Sequence, residues 1–400
     1  MSLSATEAKL VDGALAALLQ RYPDPATADP VEFLGAQFDA GLAWAHFAPG
    51  RGGLGVSAAW QPDAARRLAH AGAPLTLGDF VAVNQVAATL HAMGGPRHEG
   101  LLRRIFTGQD HWCQLFSEPD AGSDLAGISA IAERDGDVWR VTGQKVWTSG
   151  AREADYALLL ARTDPDQTKH RGMTMFILPM ASDGVEIRPL RQADGGARFN
   201  EVFLEDARVF EADRLGDVGA GWRVAMNVLG TERDGASNIF VRPIDELLAL
   251  WSTRRSTAAP ATRDAVLRLW IEAKVIGLNE ERQRTTRDAD EKSRLSAIAK
   301  VASSEYAQRL ACLSATVAGP AALVGYDYEA NFAADMHDST SSPTKFHTMQ
   351  LQTFIVRSRA MSIEGGTNEI SRNIAAERVL GLPPDIRVDK DRPWREVRNR

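Results

Sequence analysis

The residue pattern predicts an α+β protein, mostly α, built in three successive parts. Three observations carry that expectation. Residues 1–110 and 219–400 run in Ala- and Leu-rich stretches with apolar residues three and four apart, the period of an amphipathic helix. Between them, over 111–218, short β-rich runs recur at roughly ten-residue spacing, parted by Gly, Asp and Pro turns. A chain of 400 residues also exceeds one typical core, so several structural units are expected. The order predicts an N-terminal helical part, a central antiparallel β-sandwich or barrel, and a second helical part after it.

The elements follow in order. The opening "MSLSATEAKLVDGALAALLQRYPD" reads as an amphipathic helix ending before Tyr22-Pro23. It does not read as a secretory signal, because Glu7 precedes the apolar run and Asp12 interrupts it. Further helices are broken at "RYPDPATADP", "APGRGGLG" and "MGGPRHEG". The β-rich runs are "DVWRVTGQKVWTSG", "YALLLARTD", "MTMFILPM", "GVEIRPL" and "NEVFLEDARVF", with Asp135-Gly136 marking a hairpin turn. After "DVGAGW" come long helical stretches, interrupted by the polar "GYDYEANFAADMHDSTSSPTKFHT" before the last helices. In "SIEGGTNEI" the glycines read as a left-handed cap closing a helix at Ile363 or Glu364, and Thr367 as the N-cap opening the next. Gly381 and Pro383 end that helix.

Composition narrows the function. The chain is 44% apolar and 24% charged with net charge −6, so no global basic field invites nucleic acid or an anionic membrane. Two distant cysteines, Cys113 and Cys312, offer neither a disulfide framework nor a metal-ligand spacing, which fits a reducing compartment. No apolar run approaches the roughly 20 residues that span a bilayer, and a cytoplasmic protein is expected.

Five blocks then carry a resemblance: "FSEPDAGSDLAG", "VTGQKVWTSGAREADYALLLART", "NEVFLEDARV", "GAGWRVAMNVLGTER" and "EGGTNEISRNIAAERVLGLP". They are similar to blocks of the acyl-CoA dehydrogenase family, in that family's order, and cover most of residues 110–385. Singly they are weak: "EPDAGSD" is a good turn, Trp147 alone reads as core, and Thr367 would cap a helix in any protein. Their common register is what speaks for the family. The resemblance implies an N-terminal helical domain, a central β domain and a C-terminal four-helix bundle, with FAD as cofactor and α,β-desaturation of an acyl-CoA thioester as the reaction. A glutamate removes the α-proton, and flavin N5 accepts the β-hydrogen as hydride. An electron-transfer flavoprotein is the expected acceptor, and a homo- or hetero-oligomer, dimer or tetramer, the expected assembly. Fatty-acid or steroid side-chain degradation is the implied setting, with a branched or bulky acyl chain.

The family's flavin-binding positions fall on Gln114, Phe116 and Ser117, on the turn at Gly122 and Ser123, on Trp147 and Ser149, and on Thr367 and Glu369. Ser123, Arg233 and Gly365 are the positions implied to meet the substrate, Arg233 toward its CoA end. The base has two places in the family. The commoner lies two residues before the threonine of the C-terminal block, and here that position is Gly365, with Glu364 one residue too early. The other lies before an arginine on the first long helix after the β unit, and here it is Glu232. Trp222, Ala225, Leu229, Glu232, Ala236 and Phe240 step by three and four, which sets Glu232 on the apolar stripe and predicts a raised pKa. Glu232 is the preferred base and Glu364 the lesser candidate. A structural Glu232 paired with Arg233 or Arg359 is the competing reading.

The family's usual Arg-x-x-Phe segment, through which a second subunit reaches FAD, is not recognisable in "LLALWSTRRSTAAPATRDAVLRLW". The C-terminal blocks resemble an actinobacterial subgroup in which some members act on steroid side-chain thioesters and some assemble from two unlike chains. Two alternatives therefore stay open: a half-site or non-catalytic subunit of a heteromer, and a flavin monooxygenase or eliminase on the same fold.

Overall fold

The structure, a computed structural model, describes residues 4–236, 243–254, 259–286, 289–323, 327–330, 332, 351–386, 389 and 391–397. The N-terminal helices are α1 (Ala5–Arg21), α2 (Pro30–Asp39), α3 (Gln61–His70), α4 (Ala87–Met93) and α5 (Glu99–Phe106). Polar caps set their starts: the Asp29 carboxylate accepts from the Glu32 amide at 2.9 Å, with Pro30 at the first helical position. Helix α1 stops at Arg21 with Tyr22 as its C-cap, as the Tyr-Pro break requires.

Eight strands follow: β1 (Trp112–Leu115), β2 (Ile131–Asp135), β3 (Val138–Ser149), β4 (Tyr156–Arg162), β5 (Met173–Pro179), β6 (Val185–Leu190), β7 (Phe199–Phe210) and β8 (Arg214–Leu215). Their order is β6-β7-β3-β2-β4-β5-β8, with β1 added on β4. The Asp135↔Val138 pair closes the β2–β3 hairpin, with Gly136 at φ 64° in its turn. The sheet departs from a purely antiparallel one: β1 runs parallel to β4, from Trp112↔Tyr156 to Leu115↔Leu159. The β2–β3 hairpin lies between them in sequence, a crossover long enough for parallel pairing.

Strand β4 explains the layering. Leu158 and Leu160 face a core shared with Leu34, Phe38, Leu90, Ile105 and, from the next helix, Val224 and Val228. Ala157, Leu159 and Ala161 point the other way, into a core with Trp139, Val141, Val202 and Leu204 of β3 and β7. Both faces are covered, so β4 reads as a continuous apolar run rather than an alternating one.

The remaining helices are α6 (Gly221–Ala236), α7 (Pro243–Arg254), α8 (Pro260–Thr285), α9 (Ala289–Ala318), α10 (Leu351–Arg357), α11 (Asn368–Ile374) and the short α12 (Trp394–Val397). Helices α7, α8 and α9 share a core of Ile244, Leu247, Val266, Leu269, Ile276, Tyr306 and Leu310, with Phe354 of α10 packed against it. Helix α8 is apolar on two sides. Val266, Leu269, Ala273 and Ile276 are buried, while Leu267, Trp270, Ile271, Val275 and Leu278 are exposed, Leu278 by 71%. Among the described residues no helix is long and apolar enough to cross a membrane.

Candidate functional site

The site starts from an irregularity in β3. Pairing with β7 slips between Lys145 and Thr148, and at the slip Trp147 adopts φ 62°, the left-handed region that costs a non-glycine residue about 1–2 kcal/mol. The bulge turns the Trp147 indole outward, 61% exposed, between the buried Val146 and Thr148. The Phe199 ring stands edge-on to it at 6.0 Å. Ser149 is exposed at the strand end. Behind this wall the Asn200 side-chain amide donates to the Thr148 carbonyl at 3.0 Å. Thr148 Oγ1 and Asn200 Oδ1 are buried with no hydrogen-bond partner among the described residues.

The "FSEPDAGSD" segment lies alongside. The Val146 amide donates to the Ser117 carbonyl at 2.9 Å, which fixes Ser117 next to the Trp147 bulge. Phe116 is buried, whereas Gln114 and Ser117 are half-buried. Lys145 is fully buried, and its ammonium spends all three donors: on the Phe116 carbonyl at 3.1 Å, Glu118 Oε1 at 2.8 Å and the Leu160 carbonyl at 2.7 Å. Glu118 accepts in addition from the Ser129 amide (2.6 Å), the Ser129 hydroxyl (2.8 Å) and the Ala130 amide (2.9 Å). Burial pushes the Glu118 carboxyl up, but the Lys145 charge and these donors outweigh it and hold its pKa below the ordinary value. Beyond this anchor Gly122 and Ser123 are exposed, and a Cβ on Gly122 would meet nothing of the chain within 4 Å.

The third part is the turn between α10 and α11. Regular helix ends at Arg357, earlier than the Ile363 or Glu364 expected from sequence, and a 3₁₀ turn over Ala360–Ser362 intervenes. Gly365 and Gly366 take φ 63° and 89° in the turn beyond, eight and nine residues past the end of regular helix, so they cap no helix as expected; Thr367 Oγ1 does accept from the Ile370 amide at 3.1 Å and opens α11 as its N-cap. The turn is pinned from α9: Lys300 Nζ donates to the Met361 carbonyl at 2.6 Å, and the Ser304 hydroxyl bonds Asn368 Oδ1 at 2.7 Å. Glu364 is paired with the buried Arg357 guanidinium at 2.5 Å, and that guanidinium lies 5.7 Å from the Phe199 ring. Trp147, Phe199, Arg357 and Glu364 thus form one continuous line of contact from sheet to bundle. Glu369 points to solvent beside Arg372. Glu232 and Arg233 belong to helix α6, but their side chains lie outside the described residues.

Sequence reasoning passed over Arg357, Phe199 and the Glu118–Lys145 pair. Lys145 was within reach: with Trp139 and Val141 it falls on the inward phase of β3, where a lone cation demands a buried partner. Arg357 gave no comparable signal, because its partner and the Phe199 ring meet it only in the folded chain.

Comparison with known proteins agrees with this picture. Residues 113–207 match the family model for the acyl-CoA dehydrogenase middle domain, and residues 219–380 that for the acyl-CoA dehydrogenase C-terminal domain. The chain is 34% identical over 359 residues to the acyl-CoA dehydrogenase IpdE1 of Mycobacterium tuberculosis, covering 87% of this chain and 86% of that one. It is also 34% identical over 352 residues to the acyl-CoA dehydrogenase FadE34 of the same organism, covering 86% of this chain and 45% of the relative. Its fold matches the crystal structure of the ChsE4-ChsE5 complex from that bacterium with a TM-score of 0.68 at 26% identity, over 96% of this chain and 100% of the other.

Members of the family are FAD flavoproteins. The residues present fit that cofactor: an outward indole as a ring-sized wall, buried oxygens of Thr148 and Asn200 left unbonded beside it, and a glycine opening onto empty space rather than onto the chain itself. The chain belongs to the acyl-CoA dehydrogenase family: it is an FAD-dependent oxidoreductase acting on a CH–CH bond.

Proposed function

We propose that this chain desaturates an acyl-CoA thioester carrying a branched or bulky acyl group, with Glu232 as the base. The observation that carries the reading is the state of the C-terminal block. Its base position is Gly365, in a left-handed conformation, and the neighbouring carboxylate of Glu364 is held at 2.5 Å by Arg357. The Glu364 carboxylate is thus engaged as the partner of a buried guanidinium rather than free to turn to a substrate. In the sequence Glu232 stands three residues beyond Leu229 and four beyond Val228, both of which pack in the core under β4, and so shares the spacing of the apolar stripe.

On this reading FAD supplies the two-electron acceptor. Trp147, Ser117 and Ser149 hold its ring system, and Gly122, Ser123, Thr367 and Glu369 its phosphate and adenosine side. Ser123, Arg233 and Gly365 meet the acyl-CoA. Glu232, on the apolar stripe that the sequence spacing gives this stretch, takes the α-proton. An electron-transfer flavoprotein reoxidises the enzyme. Glu232→Gln is expected to retain flavin and lose at least about 100-fold in turnover, the lower end of general-base contributions, while Glu364→Gln loses far less. Anaerobic flavin bleaching with a panel of acyl-CoA thioesters reads both variants and the acyl preference. Near-normal bleaching by Glu232→Gln would sink the assignment.

A second reading, favoured by the exposed apolar stripe of α8, makes the chain one of two unlike chains of the same fold. Leu267, Ile271, Val275 and Leu278 repeat at helical spacing on that stripe and suit a second helical bundle. The ChsE4-ChsE5 relative is itself a two-chain complex. Purifying the chain alone and measuring its flavin content and mass separates the two readings.

A further inference from the structure

Residues 381–400 lie beyond the segment that matches the family's C-terminal model, which ends at 380. The chain nevertheless returns to the β-sheet there. Trp394 is buried, its ring 4.4 Å from the Arg162 guanidinium carbon and its indole N–H donating to the Gly127 carbonyl at 3.3 Å. The Trp394 amide donates to the Gln167 carbonyl at 2.9 Å and the Arg395 amide to the Pro165 carbonyl at 3.1 Å. Pro393 pairs with Thr168 as an antiparallel bridge, and Arg395 forms an ion pair with Asp166.

What this segment covers is the far end of the "FSEPDAGSD" loop. Arg162 is fully buried and donates to the carbonyls of Ile128 at 3.1 Å, Ala126 at 2.7 Å and Lys169 at 3.3 Å. Lys169 bridges Asp124, at 2.7 Å, and Asp389. Two separate anchors therefore hold the loop. Lys145 and Glu118 fix its first residues, beside the Trp147 wall, and Arg162 with Lys169 fixes residues 124–128. The Trp394 ring closes the second anchor, keeping water off the guanidinium so that its bonds to the three carbonyls go unopposed.

We infer that residues 391–397 are a positioning strap: by covering Arg162 with Trp394, they hold the 117–128 loop in the shape that receives FAD and acyl-CoA. The inference rests on the assignment of that loop to the cofactor. Because the strap governs only the second anchor, its loss weakens grip on the phosphate side and leaves the Trp147 wall intact. A preorganised loop binds more tightly than one that must order on binding, and that difference is what the strap supplies.

The test uses the full-length protein with its FAD removed and titrated back. Trp394→Ala is expected to raise the FAD dissociation constant by about tenfold, and Trp394→Phe, which keeps a ring over the cation, to restore most of it. The shape of the visible flavin band at saturating FAD stays that of the wild type, which general damage to the fold would not leave unchanged. Gly122→Val fills the open space of the loop itself and is the control. Wild-type affinity in Trp394→Ala together with loss in Gly122→Val overturns the strap alone. Wild-type affinity in both overturns the loop assignment, and the strap with it. Should Trp394→Ala fail to fold, Asp389→Ala with Arg395→Ala loosens the strap at its charged contacts. A several-fold loss of FAD affinity there supports the inference, and an unchanged affinity overturns it.

Discussion

Replacing Lys145 by Met removes the cation at the base of the 117–128 loop while keeping a side chain of similar length. Lys145 Nζ serves three acceptors, so the variant strands the carbonyls of Phe116 and Leu160 and leaves the Glu118 carboxylate buried without its counter-charge. Breaking a buried pair from one side costs about 3–5 kcal/mol. Glu118 still accepts from Ser129 and Ala130, which moderates the loss, and the two stranded carbonyls push it back up; about 4 kcal/mol is the expected sum. With a urea m-value of about 3 kcal/mol/M, the apoprotein midpoint falls by about 1 M. Adding Glu118→Gln removes the stranded charge, and the double variant recovers about 2 kcal/mol of the loss. The pH dependence has a definite sign. The folded Glu118 carboxyl titrates below the ordinary value of 4.5, so the stability it contributes is complete above pH 4.5 and is lost as pH falls through the lower folded value. The gap between wild type and Lys145→Met therefore narrows on acidification. A destabilisation under about 1 kcal/mol at pH 7, or a double variant less stable than Lys145→Met, would refute the pairing argument.

Two further predictions concern the bundle. Burial raises the Glu280 carboxyl to about 7, and its Oε1 has no partner among the described residues, so the unfolded chain ionises it more readily and stability declines as pH rises from 4.5 to 7. Allowing for its partial exposure, Glu280→Gln is expected to gain about 1 kcal/mol at pH 7.5 and nothing at pH 4.5, read as melting temperature at the two pH values. Leu278→Glu, at the most exposed position of the α8 stripe, is expected to lower the assembled mass in light scattering without altering the far-ultraviolet spectrum. An unchanged mass counts against α8 as the contact face.

Much of the architecture was legible because it is local. The Asp135-Gly136 hairpin, the Tyr22-Pro23 helix stop and the Thr367 N-cap each follow from the conformational preferences of the residues concerned. The doubly buried β4 announced itself as an unbroken apolar run. The parallel placement of β1 did not, since nothing within four residues encodes which distant strand they join. The same holds at the site. Trp147 could be marked as an aromatic in the right block, but its outward aim comes from a register slip between two strands. Glu364 could be ranked below Glu232 by counting, whereas its arginine partner emerges only when α10 closes on the turn.

Strand β4 has one more consequence, for how the molecule comes apart. Leu158 and Leu160 belong to the core with the N-terminal helices and α6, and Ala157, Leu159 and Ala161 to the core with β3 and β7. Neither core can dissolve while the other persists, because the strand between them loses its backbone pairing for both at once. Helices α2, α4 and α5, the sheet and α6 are thereby one cooperative unit. Its amides at Leu158–Leu160 should exchange with solvent only through complete unfolding, as the slowest group in the first half of the chain.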